Sequence, residues 1–434
     1  MTGKEYFLLL WIAAVVCISS VGCQSTEVTT VTDPVTISPN NKLYQSSQKF
    51  ALDFFKTVSE VVDSDPNVTT TNIIVSPLSV WSLLALITEG ANGNTLAELL
   101  KVLNVEDQGA IKKSYKTLQE VINVNTSEVE ISSIQFIFTD MNRPVQREFD
   151  SNIHHYYGDG LLEALDFSSN PQAIKNSHDR INQLVDTATK GQITKAVHAK
   201  DVIQARMIVV SALFFKGQWT LPFNRTLTNE TPFYDENERV VGNVQMMYQK
   251  AAFPFAAFRE LDAQIAELPY GSDRHLSMML ILPRKGVPLS SVIRRLADFN
   301  MATIYQELKQ AAVDYEDDEI ELYLPRFEIT ADYNLVPVLN DMGIHDAFNK
   351  ETANFEKMSK DIFLGSVIQK SKIIVNEEGT TAAAATVAVF ANKATPPRML
   401  ANRPFAFLIV DKRHDLILFM GQVKDPQINL SAGL

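Results

Sequence analysis

The alternation of apolar and polar positions along the chain predicts a helical start and a strand-rich end. From Leu43 onward Phe50, Phe54, Val58 and Val61 recur at helical spacing with Lys, Asp and Glu between them, which predicts an amphipathic helix. A second helix begins at Ser76-Pro77, where Ser caps and Pro occupies the first turn, and runs through Leu83, Leu84 and Ile87 to Gly90-Ala-Asn-Gly. A third runs from Asn94-Thr95 through Leu99, Leu100 and Leu103, and a longer helical stretch covers Pro171–Thr189. Runs rich in β-branched and aromatic residues predict strands at Ile131–Thr139, Met207–Phe215, Leu276–Pro283, Ile320–Leu324 and Val367–Val375. Phe405–Val410 and Leu416–Val423, joined by Lys412-Arg413-His414, read as a hairpin. Helices cluster early and strands late without regular alternation, which points to an α+β fold in one large domain.

Composition narrows the function. The formal charge of −12 argues against a general nucleic-acid binder, because phosphate binding needs a basic surface. Met1–Gly22 combines one Lys, the apolar run Tyr6–Val16 and small residues before a cut, the form of a secretory signal; it is too short to span a bilayer. Residues 1–23 are therefore read as the signal peptide and 24–42 as a flexible extension rich in Thr, Ser and Val. Both cysteines, Cys17 and Cys23, fall in that signal, so the secreted chain has no internal disulfide and must be held by its core. Sequons at Asn67, Asn125, Asn224, Asn229 and Asn429 suit an extracellular surface and are candidate glycosylation sites.

No motif of a hydrolase, kinase, dehydrogenase or metalloprotease is present. His154-His155 is the one adjacent histidine pair and reads as a surface position, so neither a metal nor a cofactor is expected. The informative tract is 376–397. Its Glu377-Glu378-Gly379-Thr380-Thr381-Ala382-Ala383-Ala384-Ala385 run is alanine-rich, yet the β-branched Thr380, Thr381, Thr386, Val387 and Val389 oppose a stable helix. Small side chains enter a crowded sheet without steric cost, so the tract can wait outside and later become a strand. In that strand Thr380, Ala382, Ala384, Thr386, Ala388 and Phe390 share one face.

With those residues in view, the chain resembles the serpins, and an inhibitory member. The 377–386 run resembles the family's proximal hinge, and Ala401–Ile409 resembles the strand after its reactive loop. Phe419–Val423 with Pro426, Ser76-Pro77-Leu78-Ser79 and Phe214–Trp219 match further motifs in the family's order, from about residue 43 to 428. The resemblance implies three β-sheets, eight or nine helices and an exposed, insertable loop. It places the domain at 43–428, the reactive loop at 377–397 and a tail at 429–434. It puts the attacked bond sixteen residues beyond Glu377, at Lys393-Ala394, a bait for a trypsin-like protease. Arg398-Met399 is the runner-up bond. The implied chemistry is suicide inhibition, in which the protease is trapped as a covalent acyl-enzyme while the freed loop inserts. The chain would act as a monomer, with no nucleic-acid or membrane partner.

Ser76, Ser79, Ser211 and Gln369 correspond to the family's shutter beneath the opening sheet; many members carry Asn in place of Ser211 and His in place of Gln369. Lys112, Lys113 and Lys116 lie where some relatives bind glycosaminoglycans, but at this net charge they read as a solvated face, and no strong activation is expected. The lysine bait and the secretory signal further resemble invertebrate haemolymph serpins that restrain protease cascades in innate immunity. A non-inhibitory carrier or chaperone is the alternative, as is an inhibitor of papain-like cysteine proteases; the unspoiled small-residue hinge speaks against the carrier.

Overall fold

A computed structural model of the chain describes residues 42–64, 72–122, 124–314, 319–378 and 396–426. In chain order it forms α1 (Lys42–Ser64), β1 (Ile73–Val75), α2 (Pro77–Thr88), α3 (Gly93–Val102), α4 (Gln108–Ile122), β2 (Val129–Asp140) and α5 (Arg147–Asn152). There follow β3 (Leu162–Leu165), α6 (Pro171–Ala188), α7 (Ala199–Val202), β4 (Met207–Gly217), β5 (Asn229–Tyr234), β6 (Val240–Ala251), β7 (Phe255–Phe258), β8 (Ala263–Tyr270) and β9 (Leu276–Pro283). The remainder is α8 (Leu289–Ala297), α9 (Met301–Asp314), β10 (Ile320–Pro325), β11 (Phe327–Asn334), α10 (Val336–Asp341), β12 (Ser366–Val375), β13 (Arg398–Leu400), β14 (Phe405–Asp411) and β15 (Leu416–Val423).

The predicted elements lie where their patterns put them. In α1 the buried stripe includes Phe50, Phe54, Val58 and Val62, so the fourth position falls one residue beyond Val61. α2 is buried on every side, and Ser76 caps it by accepting from the Ser79 N–H while Pro77 sits in the first turn. Its Trp81 indole donates to the Leu103 carbonyl (3.1 Å). The Phe405–Asp411 and Leu416–Val423 strands form the expected antiparallel pair. Gly421 is obligatory there, since a Cβ would lie 2.3 Å from the Phe407 ring and 2.7 Å from the Ile73 carbonyl oxygen.

Three sheets result. Six strands run in the order β1-β15-β14-β9-β8-β7, four in the order β13-β10-β6-β5, and five in the order β11-β12-β4-β2-β3. The five-stranded sheet positions the site. On one face it is covered by α6 and the chain on either side of it, whose Phe167, Ile181, Val185, Ala196, Val197 and Val202 pack on Phe138, Ile208, Val210, Ala212 and Ile368. Asn182 holds the following segment, accepting from the Ala196 N–H (2.6 Å) and the Val197 N–H (3.0 Å).

Candidate functional site

β12 and β4 are parallel neighbours, paired from Ser366↔Ile208 to Ile373↔Phe215, whereas β11–β12 and β2–β4 are antiparallel. This seam lies in the middle of the sheet, and β12 is the strand that leads directly into the 377–397 tract. A segment turning back after Val375 and entering the seam would run antiparallel to both neighbours. It would exchange one parallel ladder for two antiparallel ones, and antiparallel pairing is slightly the more stable per residue.

Beneath the seam the four shutter candidates come together, all fully buried. Gln369 and Ser211 face each other across it in register, and the row continues to Tyr333 on β11 and Gln135 on β2. The Ser211 hydroxyl donates to Ser79 Oγ (2.8 Å). The Gln369 amide donates to the Ser76 carbonyl (2.9 Å) and to Ser79 Oγ (3.1 Å), and the Ser76 hydroxyl donates to the Leu418 carbonyl (2.7 Å) on β15. The network therefore ties both sides of the seam, α2 and the six-stranded sheet at one point. Gln at 369 supplies both donor and acceptor, since its Oε1 also accepts from the Ser76 N–H (3.4 Å).

At the upper end of the seam the start of the hinge is clamped. Glu377 is fully buried. Arg326, between β10 and β11, grips its carboxylate with Nη2 at 2.5 and 2.6 Å and Nε at 3.1 Å, and the Thr228 hydroxyl donates to it at 2.7 Å. The Glu377 carbonyl accepts from the Phe223 N–H (3.0 Å), and the Trp219 indole donates to the Asn376 carbonyl (2.8 Å). Burial alone would raise the Glu377 carboxyl; the bonds from Arg326, Thr228 and its own backbone N–H outweigh it and hold the group below the usual carboxylate range. Arg225 pairs with Glu378 (2.6 Å), and a cavity of about 430 Å³ opens beside the clamp, lined by Arg225, Arg326, Phe327, Val375, Glu377 and Pro426. None of Arg225, Thr228 and Arg326 was legible as a hinge partner, because their spacing from the hinge in sequence carries no pattern.

Gly379, Thr380, Thr381, Ala382, Ala383, Ala384, Ala385, Lys393 and Ala394 lie outside the described residues, as do Asn67 and Asn429. The alternative bond Arg398-Met399 lies in β13, which pairs with β10, and Met399 is fully buried. That backbone is already committed to a ladder, so the bond is a poor fit to a protease cleft. Asn125, Asn224 and Asn229 are exposed. Lys112 is not a free surface cation: it pairs with buried Glu89 (2.9 Å), which also accepts from the Tyr157 hydroxyl (2.7 Å), and lies over the Tyr156 ring. His154 and His155 are exposed, and His154 pairs with Asp150. Among the described residues no group of three His, Cys, Asp or Glu is placed to hold a metal ion, and no helix is long and apolar enough to cross a membrane.

Comparison with known proteins agrees with this geometry. The family described as Serpin (serine protease inhibitor) matches residues 45–426. Human Serpin B9 is 33% identical over 361 residues, covering 82% of this chain and 93% of the relative. Pig leukocyte elastase inhibitor is 32% identical over 390 residues, covering 89% and 100%. A crystal structure of Manduca sexta serpin-12 superposes with a TM-score of 0.75 over 89% of this chain and 99% of that one, at 23% identity, a likeness of fold. With three sheets, a parallel central seam and a family match across nearly all of the described residues, the chain belongs to the serpins, a family of suicide-substrate protease inhibitors.

Proposed function

We propose that this chain is a secreted inhibitor of a trypsin-like serine protease, with Lys393 as the bait residue. The supporting observation is the parallel β4–β12 seam, whose β12 runs straight into a tract of small side chains. The protease serine attacks the Lys393 carbonyl carbon, the bond to the Ala394 nitrogen breaks, and the leaving amine takes its proton from the protease histidine. The serine remains esterified to Lys393. The freed hinge then enters the seam as a sixth strand, and its sixteen residues, spanning roughly 50 Å, carry the protease to the far end of the sheet. Strain there distorts the catalytic groups, so water does not complete deacylation, and the inhibitor is consumed.

Lys393 supports a trypsin-like target because a long cation suits a specificity pocket with a buried carboxylate. The Met1–Gly22 signal pattern and the exposed sequons at Asn125, Asn224 and Asn229 support secretion. Restraint of an extracellular protease cascade, in innate immunity, is the wider role this reading favours. Incubation with trypsin, a denaturing gel and sequencing of the released peptide test it. The expected result is a complex that survives denaturation together with a fragment beginning at Ala394. Clean cleavage with no complex would instead mark a non-inhibitory binding protein.

A further inference from the structure

We propose that His198 and Asp332 form a proton-operated latch across the seam, which slows the entry of a strand in mild acid and eases it above neutral pH. The proposal rests on the reading above, that the tract after Glu378 enters between β4 and β12. The outer face of the five-stranded sheet carries a strap, α6 with the chain running on to α7, and this strap crosses the seam. In the order β11-β12-β4-β2-β3 an entering strand parts β11 and β12 from the other three. Neighbouring strands stand about 4.8 Å apart, so groups facing each other across the seam separate by about that distance.

The polar ties of the strap fall unevenly on the two halves. On the β2–β3 side Arg180 grips Glu163 with Nε at 2.8 Å and Nη2 at 3.0 Å. There the Ser132 hydroxyl also donates to the Ala188 carbonyl (3.3 Å), and Lys190 pairs with Glu130 (2.8 Å). Apolar packing of α6 with Phe138 adds to that hold. On the far side His198, just before α7, reaches Asp332 of β11, with Nε2 3.3 Å from Oδ2. When the seam widens by one strand, α6 stays with the half that holds it more firmly. The His198–Asp332 bond is then carried beyond hydrogen-bond reach, so it must break for a strand to enter.

The chemistry of this bond makes it sensitive to protons. Histidine is the side chain whose charge changes between about pH 5 and 8. A neutral ring offers Asp332 an ordinary N–H; a protonated ring offers a charged one, and charge-assisted bonds are roughly twice as strong. The His198 side chain is 58% exposed, so a proton reaches it from solvent without opening the fold. Lys370 lies opposite Asp332 on β12, pairs with the same carboxylate oxygen and tempers the attraction. On α7 the Asp201 carboxylate accepts the His198 backbone N–H (2.8 Å), and Lys200 stands beside it. Acids and lysines balance around the ring, so proximity sets the sign, and the carboxylate in contact with Nε2 is that of Asp332.

The test follows strand entry without a protease. A rhodamine-tagged peptide with the sequence of residues 380–391, which has no titratable side chain, is incubated with the full uncut chain at about pH 6 and about pH 8. Fluorescence polarisation times its uptake. The parent should take up the peptide about threefold more slowly in acid, the change that one exposed ion pair supports. His198→Gln keeps a neutral donor and should run at one rate in both buffers. His198→Arg keeps a permanent cation and should be slow in both. An acid slowing in His198→Gln equal to the parent's overturns the proposal, as does His198→Arg matching the parent's faster rate, or no uptake by any of the three. Absence of a covalent complex with trypsin, beside uptake that acid slows through His198, would overturn the inhibitory reading and leave the latch standing.

Discussion

Replacing Glu377 by Gln tests whether the hinge clamp stabilises the uncut state. The carboxylate is fully buried and accepts two short bonds from Arg326 Nη2, a third from its Nε and one from Thr228. Gln has nearly the same shape but turns an NH2 towards the guanidinium, so charge-assisted bonds are lost and a donor faces a donor. Net contributions of hydrogen bonds to charged groups run at about 1.5–3 kcal/mol. The Arg326 side chain is 46% exposed, and its freed guanidinium can be solvated, which places the loss near the lower end, about 2 kcal/mol.

Unfolding entropy of about 2.1 cal/mol/K per residue gives about 0.8 kcal/mol/K for a domain of roughly 380 residues, so the melting point should fall by about 2–3 °C. The assay is calorimetry of the uncut chain near neutral pH and again in acid. Because the folded carboxyl titrates below its ordinary value of 4.5, its contribution is present above that value and is lost as pH falls through the folded one. The gap between parent and variant should therefore narrow in acid. Equal melting points at neutral pH, or a gap that persists undiminished in acid, would refute the clamp.

Gln369→Ala removes three bonds from the buried network, taking an acceptor from the Ser76 N–H and one of the donors to Ser79 Oγ and to the Ser76 carbonyl; a loss of about 2–3 kcal/mol in the uncut form is expected by calorimetry. Gly421→Ala drives a methyl into the Phe407 ring and the Ile73 carbonyl, costing about 3 kcal/mol or more, which soluble yield and melting temperature will register. Thr380→Arg places a charge in the tract that must enter the seam, so incubation with trypsin should give cleaved chain and little covalent complex. A complex yield equal to the parent's would show that this position stays outside the sheet.

Much of the architecture was legible because it is local. Ser76-Pro77 announces a capped helix, and Leu276–Pro283 and Leu416–Val423 are strands with the predicted bounds, since their apolar runs are long and sharply ended. The short edge strands Phe255–Phe258 and Leu162–Leu165 passed unnoticed because four residues carry too little periodicity to register. Lys112 misled for a related reason: a lysine on an amphipathic helix reads as solvated, and nothing nearby in sequence announces that Glu89 and Tyr156 receive it.

The candidate site divides along the same line. The small-residue tract, the lysine bait and the identities of Ser76, Ser79, Ser211 and Gln369 are properties of the chain itself. That β12 and β4 lie parallel and adjacent was decided in three dimensions, as were the meeting of Gln369 with Ser211 and the closing of Arg326 and Thr228 on Glu377. Side-chain chemistry and local period are written residue by residue. Strand order and long-range partners are selected by the burial and hydrogen bonding of the whole fold, which no short window of sequence contains.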